Sequence, residues 1–107
     1  MKIGIIGAME AEIKNIVSKL ENVNIEVKTS MTFYQGKILD KEVVVCNCFE
    51  GKVNSAIGTQ IMIAYYKVDQ VINIGVAGTP SKEIGLLNIV ISNSTVEFDQ
   101  DTTALRI

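Results

Sequence analysis

Short apolar runs alternate with segments of helical periodicity, and this alternation constrains the fold more than any other feature of the sequence. The run from Lys2 to Gly7 is rich in β-branched residues and ends in glycine, which is typical of a buried strand. Apolar residues then recur at helical spacing and predict a helix over about 8–20: Met9, Ile13, Ile16, Val17 and Leu20. A strand that leads directly into a helix indicates an α/β fold.

The next segment predicts three strands with no helix between them. These strands are expected at 22–30, 33–39 and 42–49. Asp40 and Lys41 are expected to form the hairpin turn between the last two, so this part of the sheet is antiparallel.

From Lys52 the period becomes helical again and predicts a second helix to about Tyr66. Its predicted apolar face consists of Val53, Ile57, Ile61 and Ala64. A buried strand is expected at 70–75 and a further strand at 86–92, whereas 95–107 has no predicted element. The pattern therefore predicts an α/β fold, a mixed sheet flanked by helices, in a single domain over residues 1–107.

Hydrophobic residues make up 48% of the chain, which is the upper edge of globular composition. Three explanations are open: a sheet buried on both faces, an apolar surface that meets a partner, or a piece of a larger fold. The chain ends at 105–107 without a cap or closing helix, which we interpret as an interruption of a longer fold.

Composition and charge exclude several classes of function. Ten basic and twelve acidic residues are spread without a basic patch, so nucleic acid is not an expected partner. No apolar run approaches the roughly 18 residues of a membrane span, and the sequence start is too short for a signal-peptide core, which favours a cytoplasmic protein. Without histidine, Ser-His-Asp and Cys-His catalysis are excluded and zinc is disfavoured. Cys46 and Cys48 share one face of a predicted strand, where we expect core packing.

In open α/β sheets, ligands bind beyond the carboxyl ends of the strands, and two segments leave such ends here. They are Gly7–Glu12 and Gly75–Gly78. Both segments combine small residues with exposed backbone amides, and the first segment also contains two carboxylates. Glu10 and Glu12 have two interpretations, because acids in a first helical turn favour the helix dipole and acids beside a ligand can perform catalysis. The glycines of the second segment are likewise typical of ordinary turns.

Four segments match one enzyme family in the same order along the chain. They are Met1–Glu10 followed by Glu12, Gly51–Asn54, Ile72–Gly78 and Asp99–Ala104. On these segments the chain resembles the 5′-methylthioadenosine/S-adenosylhomocysteine nucleosidases. The resemblance implies the mixed-sheet fold of the nucleoside phosphorylases, a homodimer, and hydrolysis of an N-glycosidic bond that releases adenine. It also implies a cytoplasmic role in methionine salvage and nucleoside catabolism, with no metal or organic cofactor.

Within this resemblance, Glu12 matches the carboxylate that positions and deprotonates the attacking water. Departure of adenine makes the sugar resemble an oxocarbenium cation, which an anionic site stabilises. A second acid must protonate the departing purine, and the resemblance places that aspartate beyond position 107. We therefore expect the 107-residue chain alone to be inactive.

Seven further residues match positions of the family that contact substrate. Five line the ribose, the water and the nucleoside: Ala8, Met9, Val76, Ala77 and Gly78. Two match positions that reach across the dimer to cover the alkylthio group of the neighbouring site: Thr102 and Leu105.

The sequence departs from the family next to some of these positions. Cys48-Phe49-Glu50-Gly51 stands where Ser-Gly-Ile-Gly is usual, so Glu50 is expected to put a charge where the family packs an apolar side chain. Thr79 likewise replaces a usual glycine. These changes suggest a divergent member or an altered specificity.

Two hypotheses about function follow. In the first, the chain is the front part of a working nucleosidase, with Glu12 and the glycine-containing loop at 75–78 as its signature. In the alternative, it is a truncated, catalytically silent member that acts as a binding or dimerisation module. A third possibility, a relative of the purine nucleoside phosphorylases, would need a phosphate site rich in arginine, and Arg106 is the only arginine, so that class is disfavoured.

Overall fold

A computed structural model of the protein describes residues 1–105. The chain forms two compact units, one over residues 1–77 and one from Gly78 onward. The first unit holds the sheet and both α-helices, and the second has little regular structure. The expectation of a single domain over the whole chain stays a prediction.

The first unit is a five-stranded mixed sheet with the order β2-β3-β4-β1-β5. Its elements are β1 Lys2–Gly7, α1 Glu10–Val17, β2 Glu21–Lys28, β3 Met31–Ile38, β4 Lys41–Asn47, α2 Lys52–Ala64 and β5 Gln70–Asn73. Strand β1 pairs in parallel with β4 and β5, whereas β2, β3 and β4 form an antiparallel meander. This arrangement confirms the predicted α/β fold with a mixed sheet.

Strand β4 is buried on both faces and contributes to two hydrophobic clusters. Because successive side chains of a strand alternate, Val44 and Cys46 join the cluster around Phe33 and Met62, while Val43 and Val45 join the cluster on α1. The first cluster consists of Ile6, Met31, Phe33, Val44, Cys46, Cys48, Met62 and Tyr66. Both cysteines are free and lie in this cluster, as the sequence pattern predicted.

Most of the residues predicted to form the buried apolar face of α2 are exposed, so this prediction is wrong. Val53 is 73% exposed, and Ile57 and Ala64 are also exposed, so that only Ile61 of the predicted face packs against the core. The helix instead buries Gly58 and Met62. The reason is that α2 approaches the sheet most closely where it has no side chain: a Cβ on Gly58 would lie 3.0 Å from Cys48 Cβ and 3.0 Å from Ile6 Cδ1. Hydrophobic periodicity counts large side chains and therefore misses this contact.

Several element boundaries also differ from the prediction. Helix α1 is shorter than expected: it begins at Glu10 and ends at Val17. The hairpin turn between β3 and β4 lies one residue earlier than predicted, since Leu39 and Asp40 are the two residues with positive φ, 50° and 64°. Two successive positive φ angles match the twist of the flanking strands, which is the usual geometry of a two-residue hairpin.

Of the two strands predicted after α2, the first is formed and the second is not. Strand β5 covers only Gln70–Asn73, and all four of its residues are exposed rather than buried, because among the described residues it pairs with β1 alone. The strand expected at 86–92 is not formed, and its residues are exposed. An apolar run becomes a strand only where a partner supplies hydrogen bonds, and residues 78–105 pair with none. No helix within residues 1–105 is long and apolar enough to cross a membrane.

Candidate active site

Three loops lie side by side at the carboxyl edge of the parallel strands. The sheet register pairs Gly7 with Asn47 and Ile6 with Asn73, so β1, β4 and β5 end close together. Two backbone hydrogen bonds continue the pairing beyond the strands: Cys48 N–H donates to Gly7 O at 2.9 Å, and Ile74 N–H donates to Ile6 O at 3.0 Å. This edge is where ligands bind in open α/β sheets.

The Glu12 carboxylate joins two of these loops. Its Oε2 accepts hydrogen bonds from the backbone N–H of Ala8 at 2.7 Å and of Met9 at 3.2 Å. Its Oε1 accepts a hydrogen bond from the backbone N–H of Val76 at 3.3 Å. The structure therefore brings together four of the predicted site residues, with one half-buried carboxylate tied to the loops after β1 and β5.

Local sequence explains one half of this arrangement. Met9 precedes α1 as its N-cap, and Glu12 is the third residue of the helix, so its side chain reaches back to the N-cap backbone as in a capping box. Methionine offers no side-chain oxygen, and the return bond comes from Glu12 N–H to Met9 O at 3.0 Å. Glu10 lies exposed in the same turn. The dipole interpretation thus describes Glu10, whereas Glu12 makes an additional contact with Val76.

Two glycines border the Glu12 carboxylate for different reasons. A Cβ on Gly7 would lie 2.7 Å from Ile13 Cγ2, so Gly7 allows α1 to pack closely on β1. A Cβ on Gly75 would lie 3.0 Å from Glu12 Oε1 and 3.2 Å from its Cδ. The sequence pattern of Gly75 is typical both of a turn and of a ligand-binding loop, and it does not reveal this contact, because the two residues are far apart in the chain.

The charge of Glu12 also affects the pKa of the buried Cys48 thiol. Burial raises the pKa of Cys48, the negative charge of Glu12 raises it further, and a backbone hydrogen bond opposes both. The Cys48 thiol donates a hydrogen bond to Phe49 O at 3.2 Å. Burial also raises the pKa of Cys46 to about 12. Both thiols are therefore protonated near neutral pH, and neither is activated as a nucleophile.

The loop between β4 and α2 contains Phe49 and Glu50, two of the residues that depart from the pattern expected from the resemblance. Phe49 has φ of 68°, in the left-handed region, which costs a residue with a side chain about 1–2 kcal/mol relative to glycine. Its N–H donates to Asn47 Oδ1 at 3.2 Å, and Asn54 Nδ2 donates to Glu50 O at 2.8 Å. Glu50 is exposed, and the expectation that its charge alters the substrate site stays a prediction.

The other predicted site residues lie outside this hydrogen-bond network. Ala77 is exposed at the end of the first unit, and Gly78 begins the second. Thr102 precedes the 3-10 turn Thr103–Leu105 and Leu105 ends it, and Leu105 N–H donates to Thr102 O at 2.9 Å. The roles predicted for these four residues stay predictions. Among residues 1–105, no group of three or more acidic or thiol side chains is placed to hold a metal ion.

The family model of the phosphorylase superfamily matches residues 2–106. This chain belongs to the phosphorylase superfamily. It is 40% identical, over 104 residues, to the 5′-methylthioadenosine/S-adenosylhomocysteine nucleosidase of Maridesulfovibrio salexigens, a match that covers 97% of this chain and 45% of the relative. It is 39% identical over 102 residues to the nucleosidase of the same name from Staphylococcus saprophyticus, covering 95% of this chain and 45% of that one.

A solved structure shows the same architecture. The nucleosidase of Neisseria meningitidis in complex with methylthio-immucillin-A matches with a TM-score of 0.93 and 35% identity, over 97% of this chain and 45% of that one. Futalosine hydrolase of Helicobacter pylori matches with a TM-score of 0.74 and 34% identity, over 79% of this chain and 37% of that one. The resemblance to the nucleosidases is thus confirmed, and the chain spans 45% of the length of the two nucleosidase sequences described above.

Proposed function

We propose that this chain supplies the amino-terminal part of an active site that hydrolyses the N-glycosidic bond of 5′-methylthioadenosine or S-adenosylhomocysteine and releases adenine. The observation that carries the proposal is the Glu12 carboxylate, held at the carboxyl edge of the sheet by backbone groups of two loops. The names and bound ligand of the similar proteins support the same reaction class.

The hydrogen bonds of Glu12 leave one acceptor position of the carboxylate without a protein donor among the bonds described above. A carboxylate offers about four lone-pair positions, and three are directed at the N–H groups of Ala8, Met9 and Val76. The remaining position belongs to Oε1, which accepts only the longest of these bonds. A water bound there would lose a proton to the carboxylate as its oxygen attacks the anomeric carbon. The negative charge would also stabilise the positive charge that develops on the sugar.

The substrate is proposed to lie against the loops that hold Glu12. Ala8 and Met9 would border the ribose and the attacking water, because their backbone N–H groups hold the carboxylate whose Oε1 is assigned to that water. Val76, Ala77 and the backbone of Gly78 would border the nucleoside. The small side chains of this last segment let a flat ligand approach the backbone.

We also propose that the protein is a cytoplasmic homodimer that acts in methionine salvage and nucleoside catabolism without a cofactor. Apolar side chains on the outer face of α2 support a second subunit, since Val53 and Ile57 are exposed one turn apart. Thr102 and Leu105 would reach the neighbouring active site. Removing such a face from water is the ordinary driving force of dimer formation.

The first experiment measures adenine release from 5′-methylthioadenosine by the 107-residue chain. We expect no turnover, because the acid that protonates adenine is proposed to lie beyond this chain. The second experiment grafts residues 1–104 onto the rest of the Maridesulfovibrio salexigens relative and measures the same product. We expect adenine release from the chimera, and loss of at least about a hundredfold in the Glu12→Gln variant. Glu10→Gln is the matched control, since it removes the neighbouring exposed carboxylate.

The outcome decides between the two hypotheses. A chimera that releases adenine and depends on Glu12 but not on Glu10 supports the enzyme. A folded chimera whose activity is unchanged by Glu12→Gln contradicts the proposed role of that residue. A folded, dimeric but inactive chimera favours the binding or dimerisation module, for which the exposed apolar face of α2 is the supporting observation.

A further inference from the structure

Gly75 occupies a position where the backbone does not require glycine. Its φ angle lies outside the left-handed region, since Gly51 is the glycine with positive φ among the described residues. Gly75 is also exposed, so burial in the core does not explain the lack of a side chain. The three atoms nearest to the missing Cβ, apart from its chain neighbours, all belong to one group: they are Oε1, Cδ and Oε2 of Glu12, at 3.0, 3.2 and 3.4 Å.

From this contact we propose that Gly75 is a positioning residue for Glu12, because the bare backbone at 75 allows the carboxylate to reach the Val76 N–H. The proposal rests on the proposed function of Glu12 and adds the residue that sets where its Oε1 lies. The Glu12 Oε2 atom is held independently by Ala8 N–H at 2.7 Å. Position 75 therefore controls the oxygen to which the attacking water is assigned.

The distances indicate that a single methyl group would break this arrangement. A Cβ at 3.0 Å from an oxygen is tighter than ordinary van der Waals contact, so the carboxylate would move away by a few tenths of an ångström. The Val76 N–H to Oε1 distance is already 3.3 Å, close to the limit beyond which no hydrogen bond remains. The bond to Ala8 is short and would survive. Gly75→Ala should thus release Oε1 while Oε2 stays in place.

Other glycines of the chain provide the contrast. A Cβ on Gly7 would collide with Ile13 of α1 at 2.7 Å, so a substitution there disturbs helix packing as well as Glu12. A Cβ on Gly85 would meet only Asn88, at 3.7 Å or more, which is ordinary contact. Gly85→Ala is therefore the matched control: it makes the same chemical change in an exposed loop without affecting the carboxylate.

The test is a double-mutant cycle read by NMR in the folded 107-residue chain. In the wild type, Glu12→Gln should move the Val76 amide proton upfield, because it removes the acceptor of that N–H. In the Gly75→Ala background the same change should leave the Val76 amide proton nearly unmoved, while the Ala8 amide proton still responds. In the Gly85→Ala background both amide protons should respond as in the wild type. A Val76 response to Glu12→Gln that persists in the Gly75→Ala background would overturn the proposal.

A kinetic measurement on the chimera extends the test. Gly75→Ala should lower kcat about tenfold or more and leave KM within about twofold, since misplacement of a reacting group by about 1 Å costs up to a hundredfold. An unchanged kcat would contradict the positioning role. The two proposals fail separately: an NMR response as expected, together with turnover that ignores Glu12→Gln, would keep the positioning of Glu12 and reject its catalytic role.

Discussion

Replacing Glu12 by glutamine tests whether this side chain holds the loops after β1 and β5 together or interacts only with the first turn of α1. Glutamine has the same size but a single acceptor oxygen. If that oxygen faces Ala8 and Met9, the amide NH₂ faces the Val76 N–H, and a donor meets a donor. The substitution therefore removes one hydrogen bond and converts the other two from charged to neutral.

The expected cost follows from these three bonds. A hydrogen bond to a charged group contributes about 1.5–3 kcal/mol and a neutral one about 0.5–1.5 kcal/mol, so each converted bond loses about 1 kcal/mol. Val76 and Met9 are exposed, so water replaces most of what is lost at these two bonds, and the conversion at Ala8 accounts for most of the remaining cost. We expect Glu12→Gln to lower the free energy of unfolding by about 1–2 kcal/mol. Glu10→Gln should cost only the helix-dipole contribution, about 0.3–1 kcal/mol.

The measurement is urea denaturation of both variants, followed by circular dichroism and analysed by linear extrapolation. Both variants lose one negative charge from the same helical turn, so general electrostatic effects cancel in the comparison. If Glu12→Gln lowers stability no more than Glu10→Gln, the carboxylate does not tie the loops together, and the structural basis of the proposed site is wrong.

Three further predictions concern the core, the hairpin and the proposed dimer. Burial raises the pKa of Cys46 to about 12 from an ordinary value of 9.0, so the unfolded chain releases this proton first, and the free energy of unfolding should fall as the pH rises from about 9 to about 12. Cys46→Ala should make the free energy of unfolding, measured by urea denaturation, depend less on pH over this range. An unchanged pH dependence in Cys46→Ala would contradict the prediction. Leu39 is 89% exposed with φ of 50°, so Leu39→Asn should raise stability by about 1 kcal/mol, which a lower urea midpoint would refute. Val53→Lys should convert a dimer to monomers in light scattering without unfolding the chain; a persisting dimer would exclude the outer face of α2 as the interface.

The local elements of this protein follow largely from its sequence. The apolar run at 2–7 predicts β1 with the boundaries that the structure has, because a strand buried in the middle of a sheet needs apolar residues on both faces. The helical period after Lys52 predicts α2 to within two residues of its end. Sequence resemblance predicted a catalytic role for Glu12, whereas the position of this residue in a first helical turn left a purely structural interpretation open.

The tertiary structure decided what surrounds those elements. The buried face of α2 is set by Gly58, where the helix approaches the sheet, and no count of large apolar residues detects such a contact. The partner of Glu12 across the site, Val76, is 64 residues away in the chain. These two residues meet because β5 pairs with β1 in parallel, and because Gly75 has no side chain where the Glu12 carboxylate approaches the backbone. Local periodicity determines which segments form strands and helices, but the neighbours of a carboxylate depend on the order in which those strands pair.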